Sequence, residues 1–236
     1  MRILGTPSPS AAISWVDSVT QNAATGALES YVDNSRTYSK GTATVAEAGG
    51  DALITWGRWT NGTDASTEPG FTPATYSANQ GMHFVLGSMT PTAYLDTQTS
   101  GTATFTLSGA TSPTYGDGAT APGTFSGNVA VAWGGTANTK VGVDFTVTMP
   151  DTTYRIVSTG GTATPASSQV GTSGQPRFSG DIPVTSAGRA CGGGNCLANI
   201  NGFFAGATAE RAGLIYQIRS DGGTSTSVNG AAVFTR

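Results

Sequence analysis

The chain has 236 residues, of which 11% are charged and 34 are glycine, and its formal net charge is -3. That balance excludes the Lys/Arg-rich footprint of a protein that grips nucleic acid through the phosphate backbone, and no run of 18 or more apolar residues supplies a membrane-spanning helix. Abundant Thr, Ser, Gly and Ala with few charges favours many short strands joined by glycine turns, so the expected fold class is all-β.

In chain order, the opening MRILGTPSPS holds one Arg and no apolar run long enough for a signal peptide. The chain is therefore either cytosolic or begins after an export signal, and the second reading is preferred. Residues 1–36 are expected to form an N-terminal extension. Ile13, Val16 and Val19 recur at three-residue spacing and Leu28, Tyr31 and Val32 follow, which suits a short helix or an irregular cover over a sheet edge or barrel mouth. The many Ser, Thr and Asn residues weaken the helical alternative.

Residues 37–236 read as a β-barrel domain. Trp56-Gly57-Arg58-Trp59 lies in a strand that projects its two indoles to opposite faces, one into the core and the other under the N-terminal segment or at the surface. A Gly, Thr and Pro-rich loop over 61–80 leads to GMHFVLG (Gly81 to Gly87), where Met82, Phe84 and Leu86 share one face and His83 and Val85 the other. Ala103, Phe105 and Leu107 alternate with Thr102, Thr104 and Thr106. The same period-2 pattern recurs through Val129, Val131 and Trp133, and through Val141, Val143, Phe145 and Val147, giving strands with one wet and one buried face. Tyr154 to Val157 and Phe178 to Val184 continue the series. Asp117-Gly118, Gly134-Gly135, Gly160-Gly161 and Asp221-Gly222 punctuate it as turns. Consecutive antiparallel strands without helical crossovers predict an up-and-down barrel of about eight strands, with a β-sandwich as the alternative.

Cys191 and Cys196 bracket Gly-Gly-Gly-Asn. The spacing is too tight for most metal sites and no His or Cys cluster completes a zinc set, so a disulfide closing a small ring is expected and no metal site is assigned. Such a ring contributes about 2 kcal/mol and places the protein outside the cytoplasm.

The C-terminal text carries a family pattern. Asn201-Gly202-Phe203-Phe204-Ala205-Gly206, then Ala209-Glu210-Arg211-Ala212-Gly213 and the closing Asn229 to Phe234, resembles the terminal hairpin of transferrin-binding-protein-like β-barrels, written G-x-F-F-G-x-x-A-x-E-x-x-G. Here Ala205 displaces the second glycine by one residue. The match is most similar to the barrel at the C-terminus of some proteobacterial FecR-domain proteins, in which Trp56 to Trp59 and Gly101 to Thr114 have counterparts, and it covers about Lys40 to Arg236. Gly202, Phe203, Phe204, Gly206, Glu210 and Gly213 are the residues of the fold motif. Phe203 and Phe204 point to opposite faces, one of them into the barrel. The resemblance implies an extracytoplasmic barrel of a Gram-negative bacterium, in the periplasm or at the cell surface. With neither a lipoprotein cysteine near the start nor a FecR-type domain, the chain is expected to be an excised module or a stand-alone relative. No loop here matches the transferrin-binding loops residue by residue, so transferrin is not carried over as a partner.

Catalytic chemistry is not legible. His83 is the single histidine, no nucleophile accompanies it in a recognisable motif, and the acidic residues are scattered singly, so no catalytic residue is assigned. His83 reads as a hydrogen-bonded strand histidine. Its alternative is axial ligation of haem with Met82, Met89 or Tyr154, in a ligand space beside Trp56 and Trp59. The expected function is that of a non-enzymatic interaction module contacting a protein or a cell-envelope component through its loops. The alternative is a carrier of haem or a small hydrophobic ligand at the barrel mouth near His83, and a hydrolase with an unrecognised site is the third class. Whether the barrel is filled or hollow, and its oligomeric state, stay open at this level.

Overall fold

The structure, a computed structural model, describes residues 2–6, 12–186, 188–192, 195–220 and 226–236. The expected Asp221-Gly222 turn and the second and third glycines of the Gly192 to Gly194 triplet lie outside the described residues.

The first part of the chain is made of short strands: β1 (Arg2–Thr6), β2 (Ala12–Trp15), β3 (Ser18–Gln21), β4 (Leu28–Asp33), β5 (Arg36–Ser39), β6 (Thr44–Gly50), β7 (Ile54–Thr60), β8 (Gly62–Thr63), β9 (Ala65–Ser66), β10 (Thr75–Tyr76) and β11 (Met82–Gly87). They form a five-stranded sheet in the order β2-β1-β11-β7-β6, a four-stranded sheet in the order β3-β4-β5-β9, and a β8-β10 ribbon. Val16, Leu28, Trp59, Met82, Phe84 and Leu86 belong to one buried apolar cluster of this half.

Where a short helix or an irregular cover was expected within residues 1–36, the described residues form strands, among them the β3–β4 hairpin, in which Val19 faces Tyr31 and Ser18 faces Val32. Valines and tyrosines favour a pleated, half-buried surface, and Ser, Thr and Asn do not hold a helix against that pull. The loop expected over 61–80 contains three of the short strands, β8, β9 and β10.

The remaining elements are α1 (Thr92–Thr97), β12 (Thr102–Ala110), β13 (Thr114–Tyr115), β14 (Thr124–Ala132), α2 (Gly135–Asn138), β15 (Lys140–Thr148), β16 (Thr153–Val157), β17 (Gly171–Thr172), β18 (Arg177–Thr185), β19 (Cys196–Ala205), β20 (Arg211–Ser220) and β21 (Val228–Thr235). Eight of these strands pair antiparallel in the order β12-β14-β15-β16-β18-β19-β20-β21, and β21 returns to β12, with Thr106 opposite Thr235 and Leu107 opposite Phe234. The closed ring of pairings excludes the sandwich and leaves the barrel no open edge. Along β15 the alternation is direct, with Val141, Val143, Phe145 and Val147 inside and Asp144 and Thr146 outside.

Barrel closure begins at Thr102, not near residue 37 as the sequence pattern suggested. Strands between 37 and 87 belong to the smaller sheets. Their five-stranded sheet lies on the outer wall of the barrel, where Ile54 and Val85 meet Phe203, Ile215, Ala231 and Val233 in a second apolar layer.

Candidate functional site

A carrier needs space inside the barrel. Phe234 stacks on Phe145 at 5.7 Å, Phe145 lies 5.1 Å from Phe125, and Phe125 stacks on Tyr216 at 5.3 Å. Further along, Phe204 sits 5.1 Å from Phe178, 5.4 Å from Trp133 and 6.0 Å from Phe105. These rings, with Val129, Val131, Ile156, Ile182, Ile200 and Leu214, form one continuous core. The interior is filled by side chains, one of the two arrangements open to eight strands.

Both ends of that core are covered. At one end α1 adds fully buried Leu95, with Tyr94 packed against the same cluster. At the other end, Tyr154 Oη accepts the Ala190 N–H at 3.1 Å and lies 2.9 Å from Tyr115 Oη, which donates to Asp151 at 2.9 Å. Burial pushes the Tyr115 phenol upward, and its bonds to Tyr154 and Asp151 add to the shift, so it stays protonated and able to donate. Arg189 lies 4.9 Å over the Tyr115 ring and pairs with Asp117 at 2.6 Å. The Cys191–Cys196 disulfide ties the short 3-10 turn Arg189–Cys191 to the start of β19, with both cysteines buried against the barrel core.

His83 lies on the barrel-facing side of β11, at the seam between the five-stranded sheet and the barrel. It is fully buried, with Nδ1 2.7 Å from Thr111 Oγ1 and Nε2 2.8 Å from Thr114 Oγ1. Burial, and then the positive charge of Arg58, hold its pKa well below the usual histidine value, so the imidazole is neutral. One nitrogen then donates and the other accepts, and two hydroxyls serve both roles. Arg58 is itself buried and pairs with Glu47 at 2.8 Å, while the other Glu47 oxygen accepts the Ser112 N–H at 2.7 Å. Gln80 donates to Gly116 O at 2.6 Å on the same side.

The six residues expected around a ligand space do not assemble into one. Met82 and Trp59 share the N-terminal core, Trp56 and Met89 border the seam, Tyr154 belongs to the barrel core, and His83 sits between the two halves with both ring nitrogens engaged. The Trp59 indole donates to Leu28 O at 2.8 Å. Among the described residues, no group of three or more His, Cys, Asp or Glu side chains is placed to hold a metal ion.

The terminal hairpin connects the two halves. Phe204 enters the barrel core and Phe203 the seam. Gly202 is glycine because a Cβ there would lie 2.2 Å from the Phe178 ring, and Gly213 because one would lie 2.6 Å from both Ile54 and Val85. Gly206 turns the chain at φ +89, where Glu210 accepts the Thr208 N–H at 2.9 Å and closes the loop. Arg211 does not pair with the Glu210 carboxylate. It donates from Nε to Asp51 at 2.7 Å, and Asp51 also accepts the N–H groups of Leu53 and Ile54. Asp51, Glu47, Thr111 and Thr114 carried no sequence signal, since single polar residues among many do not reveal partners far along the chain.

The fold defines a closed eight-stranded antiparallel barrel with side-chain-filled interior and a sheet docked on its outer wall. Solved structures similar to it include those of transferrin binding protein B. The isotype 1 protein from serogroup B Neisseria meningitidis is 14% identical, with 88% of this chain and 34% of that one covered at a TM-score of 0.45. A single-residue variant from Haemophilus parasuis Hp5 is 11% identical, with 99% and 45% covered at 0.47. A variant from Actinobacillus pleuropneumoniae H49 is 13% identical, with 98% of both chains covered at 0.40. The chain thus spans less than half the length of the first two. No family model matches the chain. No curated protein matches it either.

Proposed function

We propose that this chain is a non-enzymatic interaction module working outside the cytoplasm, which presents its loops and outer surface to a protein or cell-envelope partner. The observation that carries this reading is the filled and capped barrel interior: among the described residues the packed side chains leave a ligand no lumen to enter, and the surface left for recognition is external. The Cys191–Cys196 disulfide supports an oxidising compartment. The likeness of the FF hairpin and the Trp56 to Trp59 strand to FecR-domain barrels fits a module of an envelope protein.

The loops at the disulfide end are the first surface to test. Purified chain is immobilised and challenged with periplasmic and outer-membrane fractions of Gram-negative cells. Retention of a defined partner, weakened by paired Asp117→Ala and Arg189→Ala changes and unaffected by conservative lumen changes such as Ile156→Val, supports the reading. Turnover on an ester or glycoside panel, or saturable haem uptake with a Soret band abolished by His83→Gln, overturns it.

A further inference from the structure

The N-terminal half holds a cleft of about 100 Å³ that the seam and the barrel ends do not use. Its walls are aromatic. Tyr31 and Tyr38 stack at 5.0 Å with 15° between their planes, and Phe71 meets Tyr38 edge-on at 6.0 Å. Trp59 and Met82 also line it, and because the Trp59 N–H is bound to Leu28 O, the indole's donor is already engaged.

One carboxylate lines the same cleft. Asp64 is 7% exposed and accepts the Ala74 N–H and the Tyr76 hydroxyl, each at 2.7 Å. Among the described residues, no Lys, Arg or His forms an ion pair with it. The neighbouring Glu68 differs, since Arg36 pairs with it at 2.6 Å while the Tyr38 hydroxyl donates to it at 2.5 Å. Burial raises the Tyr31 phenol, and the neighbouring Tyr38, Asp33, Asp64 and Glu68 push in the same direction.

Aromatic faces attract a cation through their quadrupole, and a buried carboxylate without a counter-charge strengthens that attraction. A primary ammonium would need acceptors for three N–H groups, which ring faces do not supply in the way water does. A quaternary ammonium has no N–H to satisfy and spreads its charge over methyl groups that pack against rings. We propose that this cleft binds a trimethylammonium head group, held by Tyr31, Tyr38, Phe71 and Trp59 and neutralising Asp64.

The test uses the full chain, with calorimetry and saturation-transfer NMR on the N-methyl protons of tetramethylammonium and choline. The uncharged isostere tert-butanol is the control. Both cations are expected to bind saturably and tert-butanol not to bind. Asp64→Asn and the half-buried Phe71→Ala should each weaken binding about tenfold or more, with circular dichroism unchanged. Phe71→Ala keeps the experiment decisive if Asp64→Asn fails to fold. Vesicles of phosphatidylcholine and of phosphatidylethanolamine separate the sources: co-sedimentation with the first alone assigns a lipid head group, and binding of free choline without co-sedimentation assigns a soluble one. No binding of either cation, equal binding of tert-butanol, or wild-type affinity in the folded variants overturns the proposal.

Discussion

His83 Nδ1 lies 2.7 Å from Thr111 Oγ1, and through this contact the centre of the N-terminal sheet is latched to the loop that follows β12. Thr111 Oγ1 also accepts the Ala231 N–H at 3.0 Å, so the latch extends to the closing strand of the barrel. The hydroxyl joins three elements that are far apart in sequence.

This latch makes stability sensitive to pH in a defined window. The folded-state pKa of His83 is depressed by burial and by Arg58, whose partner Glu47 is the nearby carboxylate. In the unfolded chain the histidine takes up its proton near pH 6.5. Stability is therefore complete above about pH 6.5 and falls below it, where the unfolded state binds the extra proton, by up to about 1.4 kcal/mol per pH unit. Asp51 and Glu210, both held below the usual carboxylate range, add their losses only in stronger acid. Urea unfolding between pH 7 and pH 5 checks this: His83→Gln should flatten the slope, and a slope unchanged in that variant refutes the assignment.

Asp51 should matter more than its ion pair. Partial burial pushes its carboxyl up, but the Leu53 N–H, Arg211 and the Ile54 N–H outweigh that and lower it. Losing the two backbone caps in Asp51→Ala is expected to cost about 1–2 kcal/mol. Arg211→Ala removes a partly exposed ion pair and the Nη1–H bond to Glu210 O, for about 1 kcal/mol. Chemical denaturation of both variants and of the double variant ranks them.

Glycines of the terminal hairpin hold close contacts that a methyl group would break. Gly202→Ala forces a Cβ to 2.2 Å from the Phe178 ring, and Gly206→Ala adds one at φ +89 and 2.1 Å from Glu210. Each is expected to destabilise by about 1–3 kcal/mol. Thermal melts followed by near-UV circular dichroism should show the Gly202 change also loosening the aromatic core.

Reduction of the disulfide should uncap one end of the barrel without unfolding it. The ring closed between Cys191 and Cys196 is short, so the expected loss is about 2 kcal/mol. Far-UV circular dichroism should persist. Trypsin should cut after Arg189 faster in reduced protein, because the 3-10 turn carrying it is pinned by the bridge. Equal cleavage rates before and after reduction would show that the contacts of the turn with Tyr154, Tyr115 and Asp117 hold it without the bridge.

Much of the barrel was legible because strand periodicity is local. Val141, Val143, Phe145 and Val147 declare an inner face by alternation alone, and the adjacent Phe203 and Phe204 must diverge. The limit of the barrel was less legible, although one sign was present. GMHFVLG is apolar on both faces apart from His83, and every residue of β11 is buried. A strand of that kind does not suit a barrel wall with a wet exterior; it fits a sheet packed on both sides. The candidate ligand residues were misleading for a related reason. His83, Met82, Trp56, Trp59 and Tyr154 are rare or large residues in a plain sequence, but their prominence says nothing about whether their side chains converge.

By itself the sequence determined the all-β class, the antiparallel strands with their inward faces, the glycine turns and the one covalent bridge, since each follows from two-residue periodicity or from contacts within a few residues. Only the tertiary structure decided that closure joins Thr106 to Thr235, that the lumen is filled, and that His83 is neutral between two threonines. Those outcomes depend on which distant strand supplies the partner and on how much water is expelled when the surfaces meet, and neither quantity is written in the local pattern.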